Sequence, residues 1–251
     1  KHVVLCAIGD QLGLFKGWLV NYVVRHVKKL VQPFHLPNPV RFNDALAQGR
    51  RISFKRVEIK PDDIAMLQYT GGTTGISKGA VLLQRNVVAN VLQAEAWNRP
   101  AMNKVAAGVQ PVFVCALPLY HVFAFTINMM LAMRTGAKNI LIPNPRDIAA
   151  VLKELVRHQV HIFPAVNTLF NALAQHADFN KVDWSQLKIS VGGGSAVQGA
   201  VAKLWLEKTG CAICEGYGLS ETSPSVSCNP TDSQAFTGSI GLPLSSTWFK
   251  Q

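Results

Sequence analysis

Apolar residues recur along this chain in two alternating patterns. Short apolar runs have the length and composition of buried strands, and longer stretches repeat apolar residues every three or four positions, as on one helix face. The strand-like runs are residues 3–8, 64–69, 112–117, 139–142, 161–163 and 187–191. The helical stretches are residues 12–31, 85–97, 122–134, 148–158, 166–176 and 196–208. This alternation predicts a layered α/β fold with mostly parallel sheets flanked by helices.

A segment rich in glycine and threonine follows the run at 64–69. Glycines let backbone N–H groups converge on an anion, threonine hydroxyls add donors or metal ligands, and a lysine supplies compensating charge. Gly75 stands three residues before Lys78, so the segment is not a Walker loop, and it lacks the glycine spacing of a dinucleotide-binding turn. The segment predicts ATP as a ligand. The residues of this predicted phosphate loop are Tyr69, Thr70, Gly71, Gly72, Thr73, Thr74, Gly75 and Lys78.

A second polar segment lies near residue 220, after a stretch that places Cys211 and Cys214 on a predicted strand. Its tyrosine, Tyr217, offers a flat ring against which an adenine can lie. Glu221 offers a carboxylate oxygen of the kind that Mg²⁺ binds, and Thr222 offers a hydroxyl for the α-phosphate. The candidate nucleotide-binding residues here are Glu215, Gly216, Tyr217, Gly218, Glu221 and Thr222.

Two further segments carry candidate residues. An apolar run enters the triplet 192–194, so that Gly193, Gly194 and Ser195 stand where backbone must approach another group closely. Taken alone, the triplet is equally consistent with a tight strand-to-helix turn. In the segment 117–125, His121 follows Pro118, Leu119 and Tyr120. A lone histidine on an apolar segment is more often a core residue than a catalytic one.

These motifs, in this order, resemble those of the adenylate-forming enzymes, the family of acyl-CoA synthetases, luciferases and peptide-synthetase adenylation domains. From about residue 9 onward the chain is similar to the central part of bacterial long-chain fatty-acid:CoA ligases, including segments 9–12, 34–37, 144–148, 166–173 and 238–243. The resemblance implies a long-chain fatty acid, ATP, Mg²⁺ and coenzyme A. It also implies that an acyl-adenylate forms with release of pyrophosphate and is then converted to a thioester with coenzyme A.

The resemblance also implies roles for individual residues. Lys78 and the loop amides would hold the pyrophosphate side of ATP, whereas Thr70 and Glu221 would bind Mg²⁺ and Thr222 the α-phosphate. His121 would lie near the acyl carboxylate, and Lys78, Thr70, Glu221 and His121 are therefore the predicted catalytic set. Residues 193–195 would border the adenine. The residues expected to line the acyl pocket, each of which could equally be core, are His121, Phe123, Phe125, Ile127, Val166 and Phe170.

The same resemblance leads us to expect a fragment. Residues 1–251 correspond to the central part of the large ATP- and acyl-binding domain, without its N-terminal start and without a small C-terminal domain. The isolated chain is therefore expected to turn over little or not at all. Two alternatives stay open: another adenylate-forming enzyme that activates an aryl or amino acid, and a noncatalytic nucleotide-binding module.

Composition restricts the remaining classes. With 251 residues, 49% of them hydrophobic, the chain can bury a sizeable core. The net charge is +11, but the basic residues form no long run interleaved with aromatics, so nucleic acid is not expected as a partner. Five scattered cysteines and no signal-like start favour the cytoplasm. A homodimer is left open.

The stretch 12–31 predicts an amphipathic helix. Apolar residues such as Phe15 and Leu19 fall on one stripe, with Arg25, Lys28 and Lys29 opposite. The plain interpretation is a surface helix whose apolar stripe packs on the core and whose charges stay in water. The alternative is peripheral contact with the inner face of the membrane, which would suit an enzyme whose substrate dissolves in lipid.

Overall fold

The computed structural model describes residues 3–70 and 77–248. The chain divides into two units, Lys1–Glu58 and Ile59–Gln251. In the first unit, two short strands pair in parallel, and a helix lies between them in sequence. Its elements are β1 (Val4–Leu5), α1 (Leu14–Tyr22), continued by a π-helical segment (Val23–Val27), β2 (Val40–Arg41) and α2 (Phe42–Gly49).

Helix α1 does not pack through the predicted apolar stripe. Phe15 and Leu19 are 78% and 44% exposed, whereas Gly17 is buried. A Cβ at Gly17 would lie 2.4 Å from the carbonyl oxygen of Gly9, so the helix approaches its neighbour through the one position that lacks a side chain. Within the first unit this backbone approach, and not the apolar stripe, brings the helix against its neighbour, and both interpretations of the stretch stay predictions.

The second unit begins with an antiparallel hairpin. Strands β3 (Ile64–Thr70) and β4 (Lys78–Leu83) pair with Thr70 opposite Lys78. The predicted phosphate loop therefore connects the two strands of the hairpin in sequence. Helix α3 (Gln84–Met102) follows. Strand β4 is not among the predicted strands, and the hairpin forms a two-stranded sheet of its own.

The main sheet has seven strands in the order β11-β10-β9-β8-β7-β5-β6. Strands β5 to β9 are parallel, and β10 and β11 add antiparallel pairs at one edge. The predicted α/β fold with a mostly parallel sheet is confirmed. The strands are β5 (Val112–Cys115), β6 (Lys138–Leu141), β7 (Ile162–Ala165), β8 (Ile189–Gly192), β9 (Ile213–Gly218), β10 (Ser225–Cys228) and β11 (Leu242–Pro243).

Helices cover both faces of this sheet. The predicted helix at 122–134 is continuous but has a π-helical middle. The helices are α4 (Val122–Ala124), the π segment Phe125–Leu131, α5 (Ala132–Thr135), α6 (Ile148–Leu155), α7 (Asn167–Gln175) and α8 (Gly199–Thr209), with short 3₁₀ turns at Phe179–Lys181 and Ser220–Thr222.

The described residues form two large hydrophobic cores and a small third cluster of Cys214, Cys228 and Leu244. One packs α6, α7 and α8 against the sheet and contains a group of aromatic rings. The other packs α3 and the π segment against the opposite face and includes Phe113, Ile162 and Ile189. In the parts of the chain that the structure describes, no helix has both the length and the apolar character needed to cross a membrane.

Candidate active site

A cavity of about 410 Å³ lies at the carboxyl ends of strands β8 and β9. In open α/β sheets, ligands bind at this edge. The cavity brings together residues from the hairpin, the start of α4, the glycine triplet and the turn near residue 220. The predicted site residues that line it are Thr70, His121, Phe123, Ile127, Gly193, Gly194, Gly216, Tyr217, Gly218 and Glu221.

The hairpin supplies both ends of the predicted phosphate loop. The Thr70 hydroxyl donates to the carbonyl oxygen of Lys78 at 3.4 Å, and Lys78 is exposed. The neighbouring Tyr69 is 63% exposed and its ring lies over Gly79, where a Cβ would come within 3.3 Å of it. The loop residues Gly71, Gly72, Thr73, Thr74 and Gly75 lie outside the described residues.

His121 caps the start of α4. Its Nδ1 accepts a hydrogen bond from the backbone N–H of Phe123 at 3.2 Å. A neutral imidazole that accepts at Nδ1 carries its proton on Nε2. His121 is exposed and lines the cavity, so Nε2–H is a donor for a ligand oxygen there.

The glycine triplet forms a bare backbone surface. At Gly193 a Cβ would lie 3.0 Å from the ring of Phe123 and 3.3 Å from the carbonyl oxygen of Gly216. Gly194 has a φ of +76°, in the left-handed region that favours glycine. Ser195 is exposed beside these residues without lining the cavity. A flat ligand can therefore approach the main chain closely here.

The end of β9 is equally tight. A Cβ at Gly218 would lie only 1.9 Å from the carbonyl oxygen of Pro224, so no side chain fits. Tyr217, between the two glycines of this strand end, is 41% exposed and lines the cavity. Its ring is thus available for stacking against a ligand.

Two predicted nucleotide-binding residues have other partners. Glu215 is buried, and its Oε1 accepts the N–H of Val197 at 2.9 Å, which ties β9 to the segment after the glycine triplet. The Thr222 hydroxyl accepts the N–H of Leu219 and donates to a carbonyl of the same turn, that of Leu219 or Pro224. A hydroxyl has one proton, so Thr222 must give up this bond before it can donate to a phosphate.

Three predicted acyl-pocket residues lie in the cores. Phe170 is fully buried, with its ring 4.7 Å from that of Trp205. Phe125 and Val166 are partly buried and pack against the two cores. Val166 lies beside the cavity-lining Gly194, with Cγ1 3.7 Å from the position of a Cβ on that glycine. Position therefore supports Phe123 and Ile127 as lining residues, and not these three.

Sequence reasoning missed one wall of the cavity. Helix α3 contributes Ala94, Trp97 and Asn98, and the antiparallel strand β10 contributes Ser225, Ser227 and Cys228. The Trp97 indole N–H donates to the carbonyl of Asn229 at 3.0 Å. The available signal was the spacing of Asn90, Ala94 and Trp97, which puts these residues on one face of the predicted helix.

The thiol in this wall is not a nucleophile at neutral pH. Burial raises the pKa of Cys228 to about 12. Burial, assisted by the neighbouring Cys228, raises the pKa of Cys214 to about 12 as well. Since the thiolate is the reactive form, both cysteines act as apolar packing groups.

Known proteins share this fold and much of this sequence. The family described as "AMP-binding enzyme" matches residues 16–250. The long-chain-fatty-acid–CoA ligase of Escherichia coli O157:H7 is 47% identical over 98% of this chain and 43% of its own length. The anthranilate CoA ligase AuaEII in complex with anthranoyl-AMP superposes with a TM-score of 0.69 at 26% identity, over 85% of this chain and 40% of that one.

A second solved structure is ATP-bound MatB from Rhodopseudomonas palustris, with a TM-score of 0.68 at 25% identity over 82% of this chain and 40% of that one. The chain thus spans less than half the length of the curated relative from Escherichia coli.

Proposed function

Because the chain belongs to the AMP-binding enzyme family, we propose that it carries the nucleotide- and acyl-binding site of a long-chain fatty-acid:CoA ligase. The observation that carries the proposal is the cavity in which Thr70, His121, Tyr217 and Glu221 meet the bare backbone of the glycine triplet. The 47% identity to a long-chain-fatty-acid–CoA ligase supports the choice of substrate.

We assign the parts of ATP to the walls of this cavity by their chemistry. The ring of Tyr217 and the backbone at Gly193 and Gly194 suit a flat adenine. Thr70 lines the cavity, and the exposed Lys78 is its partner across the hairpin, so this end suits the negatively charged phosphates. His121 supplies an Nε2–H donor for a carboxylate or phosphoryl oxygen.

The donor set fits a magnesium ion that arrives with the nucleotide. Mg²⁺ prefers oxygen ligands and is usually held by one or two carboxylates together with substrate phosphates. Glu221 supplies one carboxylate and Thr70 one hydroxyl in the same cavity. In residues 3–70 and 77–248, no three or more His, Cys, Asp or Glu side chains cluster as a metal cage would require. The ion would neutralise charge on the phosphates.

The first proposed step joins the fatty acid to AMP. An oxygen of the fatty carboxylate attacks the α-phosphorus, the bond from that phosphorus to the bridging oxygen breaks, and pyrophosphate leaves. No general base is needed, because a carboxylate is ionised at neutral pH. The residues named above contribute by aligning two anions that repel each other and by stabilising developing charge.

The second proposed step releases AMP. The sulfur of coenzyme A attacks the acyl carbonyl carbon, the carbon–oxygen bond to AMP breaks, and the thiol proton passes to solvent. The absence of an acid–base triad among the cavity-lining residues that the structure describes is consistent with both steps, since neither requires one.

The test is ATP–pyrophosphate exchange with oleate and Mg²⁺, measured on this chain and on the same chain joined to the N-terminal and C-terminal parts of its Escherichia coli relative. We expect exchange that depends on oleate in the joined protein and is abolished by Lys78→Ala. Acids from acetate through palmitate to phenylalanine test the substrate class. Exchange with phenylalanine alone would overturn the fatty-acid assignment, and no exchange with any acid would favour a noncatalytic module.

We further propose that the first unit touches the membrane surface. The exposed aromatic residues Phe15 and Trp18 of α1, at 78% and 62%, and the basic residues Lys28 and Lys29 suit an interface of anionic lipid. Cosedimentation of this chain with vesicles containing phosphatidylglycerol should weaken in the double variant Lys28→Glu plus Lys29→Glu. Equal binding of both proteins would remove the proposal.

A further inference from the structure

Glu221 lies in a short turn, residues 219–224, between β9 and β10. The turn is closed by hydrogen bonds within itself: the N–H of Leu219 donates to the carbonyl of Pro224 at 3.1 Å, and the N–H of Thr222 donates to the carbonyl of Leu219 at 3.1 Å. Glu221 is exposed and lines the cavity. These internal bonds shape the turn, whereas its position relative to the other walls of the cavity depends on contacts with other elements.

Ser223 lies in the interior part of this turn. It is 2% exposed, and its φ of +74° falls in the left-handed region. A non-glycine residue adopts that region at an energetic cost and keeps it where the surrounding structure holds it there. The hydroxyl of Ser223 is buried without a hydrogen-bond partner among the described residues. A hydrogen bond that supports the turn at this residue therefore comes through its main chain.

Thr126 supplies that hydrogen bond. Its hydroxyl donates to the carbonyl oxygen of Ser223 at 3.0 Å, across 97 positions of the chain. Thr126 is fully buried and does not line the cavity. A hydrogen bond in such a setting is costly to leave unmade, because water does not replace the lost partner.

The π segment Phe125–Leu131, which contains Thr126, is itself tied to the main sheet. Two residues after Thr126, the fully buried Asn128 donates from its Nδ2 to the carbonyl of Val114 in β5 at 2.9 Å. Thr126 therefore links the turn to an element whose position the sheet already sets.

We propose that Thr126 is a positioning residue, whose hydroxyl holds the turn 219–224 in place and so fixes Glu221 for the Mg²⁺ that arrives with the nucleotide. The inference rests on the proposed function, because it requires Glu221 to bind that ion. Since Thr126 does not line the cavity, its effect passes through the carbonyl of Ser223.

Hydrogen–deuterium exchange on this chain, without Mg²⁺ or ATP, tests the contact itself. Thr126→Val replaces the hydroxyl by a methyl group of similar size. The backbone amides of residues 219–224 should exchange about tenfold faster in this variant, because the turn is held by one buried hydrogen bond fewer. Thr126→Ser keeps the hydroxyl and should stay within about twofold of the wild type. Thr126→Ala serves if the valine variant fails to fold.

Thr135→Val is the matched control. The hydroxyl of Thr135 donates to the carbonyl of Leu131 at 2.9 Å, so this substitution also removes a threonine hydrogen bond but does not involve the turn. Exchange at residues 219–224 should equal that of the wild type. Unchanged exchange in Thr126→Val as well would overturn the inference.

The consequence for the metal is measured by ATP–pyrophosphate exchange in the joined protein. Thr126→Val should raise the Mg²⁺ concentration needed for half-maximal exchange by about fivefold or more, and Thr126→Ser should restore it. If the turn amides exchange faster while the magnesium dependence is unchanged, Thr126 has a structural role alone and the inference is overturned, although the proposed function stands. If the wild-type joined protein shows no exchange with any acid, the proposed function fails and the inference fails with it.

Discussion

The side chain of Asn90 binds both backbone groups of Ser225. Its Nδ2 donates to the Ser225 carbonyl at 2.8 Å, and its Oδ1 accepts the Ser225 N–H at 3.1 Å. Asn90 is buried, and the two residues lie 135 positions apart in the chain. This amide therefore joins α3 to β10, the two elements that form the wall of the cavity that sequence reasoning missed.

Removal of this amide should destabilise the fold. We expect Asn90→Ala to lower the free energy of unfolding by about 2–4 kcal/mol, because two backbone groups lose their partner in a buried setting. Urea unfolding measures the change. Val88→Ala, an exposed position on the same helix, should shift it by less than about 0.5 kcal/mol. Equal effects of the two substitutions would contradict the assigned link.

Gly218 and Gly216 form a matched pair of glycines in one strand end. Gly218→Ala should lower the free energy of unfolding by about 3 kcal/mol or more, since its Cβ would meet the backbone carbonyl of Pro224, which cannot turn aside. At Gly216 the nearest atom to a new Cβ is Val191 Cγ1, at an ordinary contact distance of 3.5 Å. We expect Gly216→Ala to cost less than about 1 kcal/mol.

Thermal unfolding of the two alanine variants, monitored by circular dichroism, distinguishes them. If Gly218→Ala has the same melting temperature as the wild type, β9 and the turn after it can move apart enough to accept the new Cβ, and the predicted loss of stability is wrong. Binding of an acyl-adenylate analogue provides a second measurement, because displacement of that turn would move Glu221 as well.

The parallel strands could be predicted because their sequences alone carry the signal. The run Ile162–Ala165 is buried throughout, as expected for a central strand covered on both faces. Strand β10 carries no such signal, since its serines suggest a loop. Ser227 is buried because its hydroxyl donates to the carbonyl of Ile240 at 2.8 Å, a partner that only the folded chain supplies.

In the site, too, residues with a local sequence signal could be predicted, and residues that depend on tertiary packing could not. The glycine triplet and Tyr217 could be predicted because their chemistry is concentrated in short segments. Glu215 could be recognised from its carboxylate as a candidate ligand. Its hydrogen bond to the N–H of Val197 could not be predicted, because that bond depends on the pairing of β9 with β8. Asn98 reaches the cavity through tertiary packing alone.

Stability should fall in mild acid because of His161. This residue is buried, its Nδ1 accepts the N–H of Val112 at 3.2 Å, and burial, followed by the charge of Lys188, lowers its pKa. The unfolded chain then binds the proton more readily, at a pKa of about 6.5. The stability that neutral His161 contributes is fully present above the unfolded-state pKa. It is lost as the pH falls from that value through the lower pKa of the folded state.

Unfolding measured from pH 8 to pH 5 tests this expectation. His161→Asn retains an acceptor for the Val112 N–H and removes the titrating group, so the decline in acid should become shallower. Lys188→Gln should also reduce it, by removing the second cause of the lowered pKa. A wild-type profile that matches the His161→Asn profile would refute the role of this histidine.

Thiol labelling separates the exposed cysteine from the buried ones. Cys6 is exposed, whereas the other four cysteines are buried, and burial raises the pKa of each of the four. We expect a disulfide reagent at pH 8 to modify Cys6 rapidly in the native chain and the others only after unfolding, because attack requires a thiolate with access to the reagent. Cys6→Ser should abolish the rapid phase, and Cys115→Ser should leave it intact. A rapid phase that survives in Cys6→Ser would mean that at least one of the four buried cysteines becomes accessible in the native state.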